Sequence, residues 1–174
     1  MPAIIVEGKV VDSYRFSGPA AKIMRQAIPQ EPQYDWIPWT PLKKPLSTCR
    51  VALLTTAGIS LTSDPPFNME RERQNPYWGD PSFRRLPSWA TEKDIAVNHI
   101  HIKTEYIYQD LDVALPLQRF QELAQSGEIG ELAPTHYSIM GYNTDPTDLV
   151  CATAPRIATQ MNAEGVEVAF LVPV

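Results

Sequence analysis

Apolar residues first run together at RVALLTTAGIS (50–60), where Val51 to Leu54 are unbroken. So short an apolar run marks a strand covered on both faces, here over 50–56, and Gly58 among small residues predicts the loop after it. In AVNHIHIK, Val97, His99 and His101 alternate with Ala96, Asn98, Ile100 and Ile102. That alternation predicts a strand over 96–102 with both histidines on one side. At VALPLQRFQELAQS (113–126) the period becomes helical, with Leu117, Phe120, Leu123 and Ala124 on one face. Pro116 suits the first turn of this helix, and Gly127 suits the left-handed position beyond its end. A longer helix is predicted over 145–164, with Asp145 as N-cap, Pro146 opening it, and Leu149, Val150, Ile157, Ala158 and Met161 as its stripe. Pro155 should kink that helix or split it in two. After Gly165 comes VEVAFLV (166–172), an apolar, β-rich run.

The order strand, strand, helix, helix, strand is the α/β signature. We expect three layers, a mostly parallel sheet with helices on both faces, together with long proline-rich loops. The loops are 29–45, with five prolines and two tryptophans, and 64–87, with five prolines among Phe67, Tyr77, Trp78 and Phe83. Neither is read as a helix or a central strand, and their aromatic residues suggest that they pack on the domain, a partner or a ligand. The N-terminal part adds a ribbon over 3–15 and a helix over 19–28. The expected organisation is an N-terminal arm, 1–47, and an α/β domain, 48–174, incomplete at its C-terminal side.

Composition narrows the class. With 44% hydrophobic and 20% charged residues the chain can build a core, which excludes global disorder. No stretch approaches the roughly 20 apolar residues needed to cross a bilayer, and MPAIIVEGKVVD does not read as a signal peptide, so a cytoplasmic location without membrane partners is expected. Cys49 and Cys151 form no CxxC pair and would both be thiols in a reducing compartment. The net charge of −5 argues against nucleic acid as a partner. It is unevenly spread: 11 basic against 8 acidic residues over 1–90, then 4 against 12 over 91–174, which reads as an acidic solvated surface. Prolines, 17 in all, are about twice the usual ~5% share.

The chain stops just past its last strand, at VEVAFLVPV. In open α/β sheets chemistry gathers beyond the carboxyl ends of the strands, and a buried parallel strand needs cover on both faces. The expectation is therefore a longer protein or a partner that supplies the cover, and hence an oligomer. VALLTTAGIS, NHIHI, DVALPLQRFQELAQSGEIGELAPTHYSIMGY and TAPRIATQMNAEGVEVAFLVPV resemble the selenoprotein B subunit family of the glycine, sarcosine, betaine and D-proline reductases, and its short relatives of unassigned substrate. The resemblance covers 48–174 and is most specific from Pro116 to Gly141. It implies a selenocysteine or cysteine directly after Val174, followed by a proline, a second cysteine, a histidine and a helix. It also implies that this chain ends at an in-frame UGA read as stop. No other cofactor is expected. The implied chemistry is either selenolate attack that cleaves a C–N bond, with a second thiol resolving the adduct, or thiol-type reduction of a disulfide or peroxide. The competing class is a non-catalytic subunit or binding module that docks a partner through the proline- and aromatic-rich segments.

Candidate side chains each carry a plain alternative. His99 and His101 suit a proton donor to a leaving group, or a hydrogen-bonded structural pair; with no third ligand at metal spacing, no metal site is expected. His136 and Tyr137 line the site or pack a turn. Thr55, Thr56 and Gly58 offer hydroxyls and backbone N–H groups to an anionic small-molecule substrate, or simply make a turn. Their loop is too glycine-poor for a nucleotide fingerprint. Arg84 and Arg85 bind a carboxylate, or are solvated. Pro173 and Val174 flank the expected redox position. Asp110, Asp112 and Glu105 are acid–base groups or helix caps, and Cys49 and Cys151 are read as inert thiols.

Overall fold

The computed structural model describes residues 40–75 and 77–174. The predicted ribbon (3–15), the predicted helix (19–28) and residues 29–39 of the first proline-rich segment lie outside them. Strand β1 (Arg50–Thr55) is central and buried, as its unbroken apolar run requires. On one side it pairs in parallel with β7 (Val168–Val172), an edge strand among the described residues, in register from Val51↔Val168 to Thr55↔Val172. Its other side is shared. The short β5 (Glu131–Leu132) pairs with Arg50 and Val51, and β6 (Thr135–Ile139) pairs with Leu54 and Thr55, both in parallel. An antiparallel edge strand, β3 (Phe83–Pro87), closes the far side of β6. A separate ribbon pairs β2 (Ile59–Leu61) with β4 (Ile95–Val97).

Helices cover both faces. Leu53 and Leu86 look onto a core that includes Ile107 from the helix Glu105–Gln109, Leu111, Leu115 and Leu117, with Phe120 packed against it. Ala52 and Tyr137 look the other way, onto Ile157 and Met161. Each fully buried leucine or isoleucine contributes on the order of 1.5–3 kcal/mol. The three-layer α/β arrangement with a mostly parallel sheet is thus present. Its edge at β7 is only thinly covered: Phe170 meets Phe120 at 4.9 Å, yet Phe170 and Leu171 stay 45% and 63% exposed.

Four local expectations are corrected. The second strand stops at Val97 because Asn98 caps it: its backbone N–H donates to the Gly58 carbonyl, and its side-chain amide donates to Ser60 Oγ at 2.9 Å. His99 and His101 therefore lie in the turn beyond β4 instead of on a strand. The long C-terminal helix is not broken at Pro155. A π-turn over Leu149–Thr153 runs straight into the helix Ala154–Ala163, and the Ala154 N–H reaches back five residues to the Leu149 carbonyl. That wider turn makes room for a ring lacking an N–H. The 64–87 segment is not wholly irregular: it holds a helix, Met69–Gln74, and β3, with Pro87 tolerated at the end of an edge strand. His136 and Tyr137 belong to β6, not to a loop. The helix predicted over 113–126 forms as Leu117–Gln125, and Gly127 supplies the left-handed residue, φ 77°, after it.

In chain order the α-helices are α1 (Met69–Gln74), α2 (Glu105–Gln109), α3 (Leu117–Gln125) and α4 (Ala154–Ala163).

Candidate functional site

At the carboxyl rim of the sheet, β1 turns sharply into β2. The Thr56 N–H donates to the Val172 carbonyl, the Ala57 N–H to Thr55 Oγ1 and the Gly58 N–H to the Ile139 carbonyl. Gly58 sits at φ 64°, and a Cβ there would meet Met140 Sδ at 2.5 Å. These donors serve the fold, so the loop presents no free N–H cradle for an anion at these three positions. What Thr56 does hold is the end of the last strand. The Val174 N–H donates to Thr56 Oγ1 at 2.9 Å, and the hydroxyl lies 3.3 Å from the Val174 carbonyl. β1 and β7 are thereby brought to an end side by side, with Pro173 between β7 and the tether.

A polar cluster adjoins that tether. The Gly141 N–H donates to the Thr56 carbonyl, and the ring of the next residue, Tyr142, lies 4.5 Å from that of His101. His101 meets His99 edge-on at 5.8 Å, and its backbone N–H donates to His99 Nδ1 at 3.2 Å. His101 Nε2 is 2.9 Å from Glu72 Oε1, a close contact off the line of a hydrogen bond, and among the described residues neither Glu72 oxygen has a hydrogen-bond partner. Glu72 is 1% exposed on its side chain and His101 44%. Burial, and then the neighbouring His101, lower the His99 pKa, keeping that ring neutral near pH 7.

Local sequence explains how Glu72 comes to be inside. Asn68 Oδ1 caps α1 by accepting from the Arg71 N–H, and Asp80 Oδ2 accepts from the Asn68 N–H. The Arg71 guanidinium lies over the Trp78 ring at 4.2 Å. Gly79 presses against the Tyr142 carbonyl so closely that no side chain fits there. The proline-rich 64–82 segment is therefore clamped onto the 140–144 loop, which drives Glu72 toward His101.

The other sequence candidates lie elsewhere. His136 is fully buried within the sheet, where its Nδ1 accepts from the Leu53 N–H at 3.0 Å. This fills the gap at which β1 changes partner from β5 to β6, and desolvation lowers the His136 pKa to about 4. Tyr137 points to the opposite face, 6.1 Å from Phe83. Its pKa is raised by burial and by Glu164, with Arg85 opposing. Arg84 donates to the Pro65, Pro66 and Phe83 carbonyls and to Ser82 Oγ, and lies over Phe67, so its fork is occupied. Arg85 sits by Glu164 at 3.6 Å and Thr135 Oγ1 at 3.4 Å. Asp110 and Asp112 cap the turns before and into α3. Among the described residues no set of three metal-ligating side chains converges, and no helix is long and apolar enough to cross a membrane.

Sequence reasoning singled out the two histidines but not Glu72 or Tyr142, which the fold brings against His101. Glu72 lies in MERERQ, within the proline-rich 64–87 segment that reads as a loop. The available signal was Asn68, three residues before Arg71 and among prolines, which marks a short capped helix.

Sheet and cluster together define a three-layer α/β domain whose polar chemistry gathers at the carboxyl rim of its parallel strands. The chain belongs to the glycine/sarcosine/betaine reductase selenoprotein B family, whose profile matches residues 26–173, beginning upstream of residue 48. It is 34% identical over 133 residues to the D-proline reductase subunit gamma of Acetoanaerobium sticklandii, covering 76% of this chain and 52% of that one. To the glycine reductase complex component B subunit gamma of Carboxydothermus hydrogenoformans it is 27% identical over 140 residues, 80% of this chain and 31% of the relative. The chain thus spans about half the length of one curated relative and under a third of the other. No solved structure matches it significantly.

Proposed function

We propose that this chain is part of a selenol- or thiol-dependent reductase subunit, with the redox residue following Val174 and acting at the rim beside His99 and His101. One observation carries this: β1 and β7 end together, tied through Thr56 and Val174, and Gly141 and Tyr142 link that tether to a histidine pair with a buried carboxylate against it. Family membership supports it, as do the names of the relatives, which are subunits of reductases. A selenol or thiol at that position supplies the nucleophile. The chain's own residues do the rest. His101, partly exposed, hands a proton to the departing group, while Thr56 and Pro173 fix where the strand delivers its next residue. The substrate is a small molecule bearing an amine and a carboxylate, or a peroxide or disulfide, handled in the cytoplasm.

The test is to express the protein with the segment encoded after codon 174, selenocysteine or cysteine included, and to supply a dithiol as electron donor. Glycine, sarcosine, betaine, D-proline, hydrogen peroxide and a small disulfide are then offered in turn. Turnover that is lost on alkylation of the chalcogen supports the proposal. A UAA or UAG at codon 175, or a downstream frame without a cysteine–histidine pair, removes it.

A second function is favoured by a different feature. Phe170 and Leu171 of β7 and Val174 beyond it are exposed, and an apolar groove of about 200 Å³ is lined by Leu54, Ile139, Ile157, Met161 and Leu171. In this alternative the chain is a non-catalytic subunit that docks a reductase partner or a second copy of itself through that edge. Light scattering at micromolar concentration distinguishes the cases, because a monomer counts against self-association.

A further inference from the structure

Glu72 stands out because its position is costly and its contacts are incomplete. A buried carboxylate is ordinarily paired and surrounded by hydrogen-bond donors. Among the described residues this one has an imidazole nitrogen 2.9 Å from Oε1 and no hydrogen bond to either oxygen. Its helix is held by Asn68, Asp80 and the Arg71–Trp78 stack, so the carboxylate is delivered to His101 by design of the segment, not by its own bonding. A carboxylate oxygen accepts through its lone pairs, and the nitrogen that faces Oε1 is Nε2, whose N–H it can hold. We propose that Glu72 is a positioning residue which keeps the proton of His101 on Nε2 and leaves Nδ1 as the nitrogen that exchanges protons at the rim. The same logic lets the buried aspartate of a Ser–His–Asp triad fix its imidazole tautomer.

The inference rests on the functional proposal above, but its primary readout needs no substrate. In 15N NMR of the protein labelled at histidine, His101 Nε2 stays protonated at every pH from about 6 to 9. Glu72→Gln keeps the volume but can pair with either tautomer, as acceptor or as donor, so at the upper pH the proton becomes shared between the two nitrogens. Replacing a buried, poorly bonded carboxyl group should leave the melting temperature equal or higher. In a protein that turns over, E72Q lowers kcat at least about tenfold, with KM within about twofold. Unchanged His101 nitrogen shifts in E72Q, or a bare Nε2 in the wild-type protein, overturn the inference. Should E72Q not fold, the wild-type spectrum alone decides. A locked Nε2 proton in a protein without turnover refutes the reductase assignment and leaves this inference standing.

Discussion

Acid should unfold this domain partly through one residue, His136. Its Nδ1 accepts the Leu53 N–H in the middle of the sheet, so a proton can enter only by breaking that bond and charging a fully buried ring. Burial lowers its pKa from 6.5 to about 4. The folded-state value lies below the unfolded one, so the unfolded chain takes up the proton first. The contribution is fully present above pH 6.5, is lost as pH falls from there toward 4, and changes no further below that. A gap of that size corresponds to about 3 kcal/mol in total at 1.36 kcal/mol per pH unit, of which roughly 1.4 kcal/mol is gone by about pH 5.5. Urea denaturation at a series of pH values between 8 and 5 reads this directly. His136→Asn is the control: its Oδ1 can accept from the Leu53 N–H, but the side chain does not titrate. The smaller residue should cost about 1–3 kcal/mol at every pH, while the slope over the acid window becomes shallower. His99, whose pKa is also lowered, contributes equally to both proteins and cancels in the comparison. Parallel pH profiles for wild type and H136N would falsify the assignment.

Other outcomes follow from particular contacts. Gly79→Ala should destabilise by about 1–3 kcal/mol and push the Tyr142 backbone away, seen as a changed ring-current shift on His101. Arg84→Ala should cost about 2 kcal/mol in denaturant titration and open residues 64–67 to proteolysis; lysine should not restore it, since the guanidinium serves several acceptors at once. Cys151, expected to be inert but found exposed, should react with a thiol reagent in the native protein, whereas Cys49, buried beside the Pro45 carbonyl, should react only on unfolding.

How far the sequence reveals the molecule depends on where the decisive contacts lie. β1, α3 and β7 are written in local patterns: an apolar run, a helical stripe ending at Gly127, and a β-rich run after Gly165. The π-turn is not, because Pro155 announces trouble without saying how Leu149–Thr153 will absorb it. Alternation over 96–102 predicts a strand reaching His101 because it has no way to register that the Asn98 amide reaches Ser60 Oγ and ends the strand at Val97. At the rim, His99 and His101 stood out by chemistry alone, whereas Glu72 became visible only once the Gly79–Tyr142 contact had clamped its segment in place. His136 drew attention as a titratable side chain, and its role in filling the seam between β5 and β6 is a property of sheet topology that no local window contains.

The most direct measurement is tandem mass spectrometry of the haloacetamide-treated protein expressed with the codons beyond Val174 intact and with selenium supplied. The account predicts an alkylated selenocysteine or cysteine bonded to the carbonyl of Val174, with its alkylation abolishing any dithiol-driven turnover. Finding a residue without sulfur or selenium at that place, or turnover indifferent to the label, contradicts it.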